Sequence, residues 1–152
     1  MGKPRYTVTL ETNATPEDKQ AVLDGLSAFN RSQIGVDASD DMQPLNLFVR
    51  ANDGTIMGGL LGVTYWNWLY ISILWVHEDL RGKAFGTDLL RAAEREAVAR
   101  GCHSVCLDTM SFQALPFYQK QGYSLYGQLN DFPIGHQRYY LQKKLIVEAE
   151  SQ

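Results

Sequence analysis

The stretch Leu69-Tyr70-Ile71-Ser72-Ile73-Leu74-Trp75-Val76, followed four residues later by Arg81-Gly82-Lys83-Ala84-Phe85-Gly86, decides the reading of this chain. Its first part is almost continuously apolar, which predicts a strand buried on both faces of a sheet. Its second part opens a helix with Leu89, Leu90, Ala93, Ala97 and Val98 on the inner side, charges opposite and Gly101 at the end. A strand, a short loop and a helix start aim several backbone N–H groups at one point. Together with the helix dipole these groups bind phosphate. Gly82 and Gly86 allow close backbone approach, and Lys83 or Arg81 adds positive charge. Neither GxxxxGK[ST] nor GxGxxG occurs at this turn. Taken alone, the two glycines suit a plain helix start equally well.

Working outward, Ser104-Val105-Cys106-Leu107-Asp108 supplies a strand after the helix, in the order of a βαβ crossover. Upstream, Leu45 to Ala51 and Ile56 to Tyr65 read as strands joined by the Asp-Gly turn of Asn52-Asp53-Gly54-Thr55. A second turn near Asn67 completes an antiparallel meander with the Leu69–Val76 strand. Nearer the N-terminus, Tyr6-Thr7-Val8-Thr9-Leu10 alternates in the manner of a strand. Thr15-Pro16-Glu17-Asp18 then starts a helix striped by Ala21, Val22, Leu26 and Phe29. Residues 36–43, with three carboxylates, read as a loop, either a solvated connection or a mouth attracting a cation. Downstream come a short helix over Phe112 to Gln121 with Pro116 in its first turn, a strand over Gly122 to Tyr126, and a last strand at Tyr139-Tyr140-Leu141. Residues after 145 are expected to fray. The order describes one α/β domain over residues 1–152 with a mixed sheet.

The chain has 152 residues, 45% hydrophobic and 20% charged, enough for a core that needs no metal or disulfide. Fourteen basic against seventeen acidic residues leave a net charge of −3. That balance gives no electrostatic reason to expect nucleic acid or an anionic membrane as partner. No stretch approaches the ~20 apolar residues of a membrane span. Cys102 and Cys106 are not spaced as a CxxC pair. They read as small buried residues whose free thiols suit the cytoplasm.

Specificity comes from Ala114-Leu115-Pro116-Phe117-Tyr118-Gln119-Lys120-Gln121-Gly122-Tyr123, placed after the crossover. With it, the region from Leu45 to Tyr126 resembles the GNAT superfamily, whose R-x-x-G-x-G/A loop precedes an A-x-x-x-Y-x-x-x-G-[FY] segment. Ala84 stands where that loop usually has glycine, and alanine disfavours positive φ. The resemblance implies a mixed, mostly antiparallel central sheet flanked by helices, with a splayed central strand pair. It also implies acetyl-CoA as cosubstrate and no metal. Its pantetheine arm would pair with the backbone of Leu74, Trp75 and Val76, and its pyrophosphate would lie on the loop from Arg81 through Gly82, Lys83, Ala84, Phe85 and Gly86 to Thr87. Ser111 occupies the place of an assisting Asn, and Tyr118 is placed to donate a proton or hydrogen bond to the CoA sulfur. As a plain core aromatic beside Phe117, Tyr118 has a second reading.

The activity so implied is N-acetylation of a primary amine on a small molecule. A protein or peptide acceptor and a catalytically silent CoA-binding module are the alternatives, and a homodimer is expected from the family and the abundant aromatics. Transfer needs a neutral amine, a stabilised oxyanion and a proton for the thiolate. A backbone N–H on the Leu74 to Val76 strand would serve the oxyanion. Residues 70–76 contain no carboxylate. Asp108, at a strand end, is therefore the first candidate base. Glu78, Asp131, His136 and bulk water are its competitors, and each side chain has a plain reading as a cap or a solvated loop residue. Trp66, Trp68, Tyr65 and Tyr70, and likewise Phe132, Tyr139 and Tyr140, read as packing or interface aromatics or as walls of an acceptor pocket.

Overall fold

The structure, a computed structural model, describes residues 1–35 and 41–145. Described residues 1–35 form one compact unit and 41–145 another. The expected loop over 36–43 lies mostly outside the described residues, as does the tail expected after 145. No described helix is long and apolar enough to cross a membrane.

The first unit contains helix α1, Pro16–Ile34. It starts as its sequence dictates: the Thr15 side chain accepts from the Asp18 N–H at 3.1 Å, and Pro16 occupies a first-turn position with no N–H to lose. Gly35 at φ 79° ends it. One expectation fails in this unit. Residues 6–10 form no strand, because an alternating segment needs a ladder partner and the unit has no described strand to provide one. No residue of α1 is buried.

The second unit is a six-stranded sheet of β1 (Gln43–Arg50), β2 (Ile56–Tyr65), β3 (Trp68–Val76), β4 (Ser104–Met110), β5 (Ser124–Asn130) and β6 (Gln137–Lys144), in spatial order β1-β2-β3-β4-β6-β5. Every neighbouring pair is antiparallel except β3 and β4. That parallel pair is connected by α2 (Phe85–Ala99), as a crossover requires. Trp66 and Asn67 both take positive φ and close the β2–β3 hairpin in two residues.

Leu89, Leu90, Ala93 and Ala97 recur at helical spacing and are buried against Leu45, Leu60, Leu69, Val105 and Leu107 of the sheet. α3 is shorter than expected, Leu115–Lys120, with Pro116 in its first turn. Cys102 is buried and Cys106 half-buried, and both are free thiols whose pKa burial pushes up.

Strand β3 departs from the expectation of burial on both faces. Leu69 and Ile71 are buried, yet Ile73 and Trp75 are 53% and 46% exposed. The cause is a bulge: Gly62 pairs with Ile71 and Leu61 with Ile73, leaving Ser72 unpaired, its hydroxyl donating to the Leu61 carbonyl at 3.0 Å. The extra residue reverses the alternation, so Leu74 and Val76 turn to the core and Ile73 and Trp75 away from it. Position 62 must be glycine there, since a Cβ would sit 2.8 Å from the Tyr70 carbonyl oxygen.

Candidate active site

The parallel pairing of β3 and β4 runs only from Trp68 opposite Ser104 to Ile71 opposite Leu107. Beyond that, β3 stays with β2 to Val76 while β4 stays with β6 to Met110, so the two strands separate. The gap opens into a cavity of about 880 Å³ walled by Ile71–Val76 on one side and Leu107–Thr109 on the other. Phe117 and Tyr118 of α3 line it, as do Arg81, Gly82, Ala84, Phe85, Gly86 and Thr87 of the glycine loop. Backbone groups on the inner edges of separated strands have lost their ladder partners. They need a substitute, and an extended polar ligand can supply one.

At the loop end, Gly82 at φ 76° and Ala84 at φ 65° are both left-handed. Ala84 caps α2 without a side-chain hydrogen bond, and its carbonyl accepts the first helical bond, from the Asp88 N–H at 2.9 Å. The first-turn amides of Phe85, Gly86 and Thr87 consequently have no partner within the helix, which is the arrangement that binds anions. The Thr87 hydroxyl oxygen accepts from the Gln121 amide at 3.2 Å, leaving its own O–H free to donate. Lys83 is not among the cavity-lining residues.

Tyr118 is 6% exposed, stacked edge-on between Phe117 and Tyr123 at centroid distances of 5.2 and 5.8 Å. Its ring is thus core, as the plain reading held, but the residue also lines the cavity. Burial, helped by the charge of Asp108, pushes its pKa up to about 12. At neutral pH it is a hydrogen-bond donor and never a base.

Asp108 also lines the cavity. Its Oδ1 accepts from Arg138 Nε at 3.0 Å and Nη2 at 2.9 Å, and its Oδ2 from the Tyr70 hydroxyl at 3.2 Å. Burial first, then this carboxylate, raises the Tyr70 pKa, while hydrogen bonding to Asp108 raises that of Arg138.

The other candidate bases lie outside the cavity lining. Glu78 is exposed in a short 3₁₀ turn, Glu78–Leu80. Asp131 accepts from the Gly135 N–H at 3.1 Å, capping its own loop. His136 sits edge-on to Phe112 at 5.0 Å, with Nδ1 3.5 Å from the Ser111 hydroxyl. Ser111 in turn accepts from the Gln137 N–H at 3.1 Å, so its side chain faces the β6 end and is not part of the cavity lining.

The expected aromatic groups divide. Tyr70 reaches Asp108, Trp68 packs on His103 at 5.6 Å, and Tyr65 on Trp66 at 5.5 Å. Arg138, which the sequence did not single out, lies over the rings of Phe132 at 4.7 Å and Tyr140 at 5.4 Å. Only the pairing of Asp108 with Tyr140 across β4 and β6 could have signalled it, since Arg138 then falls on the same face two residues away.

Comparison with known proteins points the same way. The profile of the acetyltransferase (GNAT) family matches residues 17–123. An acetyltransferase of Agrobacterium fabrum is 36% identical over 131 residues, covering 86% of this chain and 93% of that protein. A blasticidin-S acetyltransferase of Streptomyces morookaense is 39% identical over 93 residues, 60% of this chain and 68% of its own. The crystal structure of an acetyltransferase from Bacillus cereus superimposes with a TM-score of 0.78 at 33% identity, covering 90% of this chain and 98% of that one.

Proposed function

Because the chain belongs to the GNAT family of acetyltransferases, and so to the acetyl-CoA-dependent acyltransferases, we propose that it moves the acetyl group of acetyl-CoA to a primary amine on a small molecule. The observation that carries this reading is a single cavity joining the unpaired amides of the glycine loop to Tyr118 and Asp108. Phosphates bind at the first end, on the loop from Arg81 to Thr87, and pantetheine runs along Leu74, Trp75 and Val76. The thioester then lies beside Tyr118. The amine nitrogen attacks the acetyl carbonyl carbon, the C–S bond breaks, and the amine's proton leaves for the thiolate or water.

With a pKa of about 12 against roughly 8.5 for a thiol, full proton transfer from Tyr118 to sulfur is uphill by about 5 kcal/mol. Tyr118 therefore holds the departing thiolate by a hydrogen bond. Asp108 faces the acceptor amine. A relative that acetylates blasticidin S supports a small-molecule acceptor. Two free thiols support a cytoplasmic setting, and the family resemblance supports a homodimer.

The test is CoA release from acetyl-CoA with a panel of small primary amines, blasticidin S among them, run beside peptides with free N-termini. Amine-dependent release is expected. Turnover with peptides alone would replace the acceptor class, and tight acetyl-CoA binding without any turnover would point to a silent CoA-binding module.

A further inference from the structure

Asp108 is the one carboxylate among the described residues lining the cavity. A carboxylate offers about four acceptor positions. Arg138 fills two on Oδ1 and Tyr70 fills one on Oδ2, which leaves one on Oδ2. The guanidinium is itself fixed, by the rings of Phe132 and Tyr140.

An unpaired Asp108 would create a difficulty for transfer. A negative charge beside a bound amine favours its ammonium form, which has no lone pair to attack with. We propose that Arg138 is a positioning residue of the acceptor site, cancelling the charge of Asp108 while aiming Oδ2 to accept an N–H from the amine in its neutral, nucleophilic form. The inference rests on the reading that a primary amine is the acceptor.

The titratable groups around Asp108 are few. Burial holds the pKa values of Tyr70 on β3, Cys106 on β4 itself, Tyr118 on α3 and Tyr126 on β5 above their ordinary values, so all four are neutral at pH 7, and Tyr140 on β6 pairs across from Asp108. Arg138 is the cation in direct contact with Asp108, and Arg81 stands at the loop end of the cavity.

The experiment uses phenethylamine, an aryl primary amine matched to the Trp75 and Phe112 walls. Turnover is followed with acetyl-CoA, and binding is followed to the protein–CoA complex. In R138M the rising limb of kcat, which reports groups in the bound complex, should move up by about one pH unit. Phenethylamine should bind about tenfold tighter at pH 7, as ammonium. R138Q, which keeps a hydrogen bond to Asp108 without the charge, should behave alike, and R138K should leave the limb in place.

A merely structural Arg138 would give weaker amine binding with an unmoved limb in R138M and R138Q, and that result overturns the proposal. So does a shifted limb in R138K, or failure of phenethylamine to bind the wild-type complex. The binding shift without wild-type turnover would sustain this role of Arg138 and refute the transfer reading instead.

Discussion

Replacing Tyr118 by Phe removes one oxygen from a ring that is otherwise core. The ring contacts with Phe117 and Tyr123 remain, and no described residue hydrogen-bonds the hydroxyl, so folding loses almost nothing. What is lost is the donor of a cavity-lining side chain. A hydrogen bond to a charged group is worth roughly 1.5–3 kcal/mol, and the charge on sulfur develops only as the C–S bond breaks. The expected effect is therefore a fall in kcat of about 10- to 150-fold, with acetyl-CoA affinity changed less than about threefold. Steady-state CoA release with the best amine of the panel gives kcat, and calorimetric titration with acetyl-CoA gives the affinity. An unchanged kcat would refute the role of Tyr118. A tenfold loss of acetyl-CoA affinity at constant kcat would make the hydroxyl a binding group and nothing more.

The same tyrosine predicts an alkaline weakness. Its pKa is about 12 folded against about 10 unfolded, so the unfolded state gives up its proton first. This contribution to stability is whole below pH ~10 and is lost between ~10 and ~12, by about 2–3 kcal/mol, and Y118F should flatten that part of the denaturation curve. At Ala84, where φ is 65°, A84G removes a left-handed alanine costing roughly 1–2 kcal/mol and should raise Tm by about 2–8 °C without lowering kcat; a lower Tm would speak against strain there. G62A puts a Cβ against the Tyr70 carbonyl and should cost about 1–3 kcal/mol in urea denaturation. It should also weaken acetyl-CoA binding, because the bulge it disturbs sets which β3 residues wall the cavity.

What the sequence made legible was contiguous. Arg81 to Gly86 and Ala114 to Tyr123 announce loop, helix and tyrosine within short windows, and the meander follows from alternation and two turns. The exposed half of β3 departs from its apolar pattern because it depends on where β4 parts from it and on the bulge at Ser72, neither of which leaves a local mark. Asp108 was visible as a strand-end carboxylate, but its partner Arg138 comes thirty residues later and meets it only through the register of β6 on β4. Ser111 matches an assisting side chain by position, but its oxygen accepts from the Gln137 N–H at the β6 end and the residue lies outside the cavity lining. Residues 6–10 show the converse, since alternation without a partner makes no strand.

If one cavity between β3 and β4 aligns the cofactor for transfer, bound acetyl-CoA must lie in that gap. A crystal structure with acetyl-CoA tests it most directly. The expected complex has pyrophosphate on the amides of residues 82–87, the thioester sulfur within hydrogen-bonding distance of the Tyr118 hydroxyl, and the acetyl carbonyl open toward Asp108. A thioester lying away from Tyr118, or a cofactor outside the gap, would contradict it.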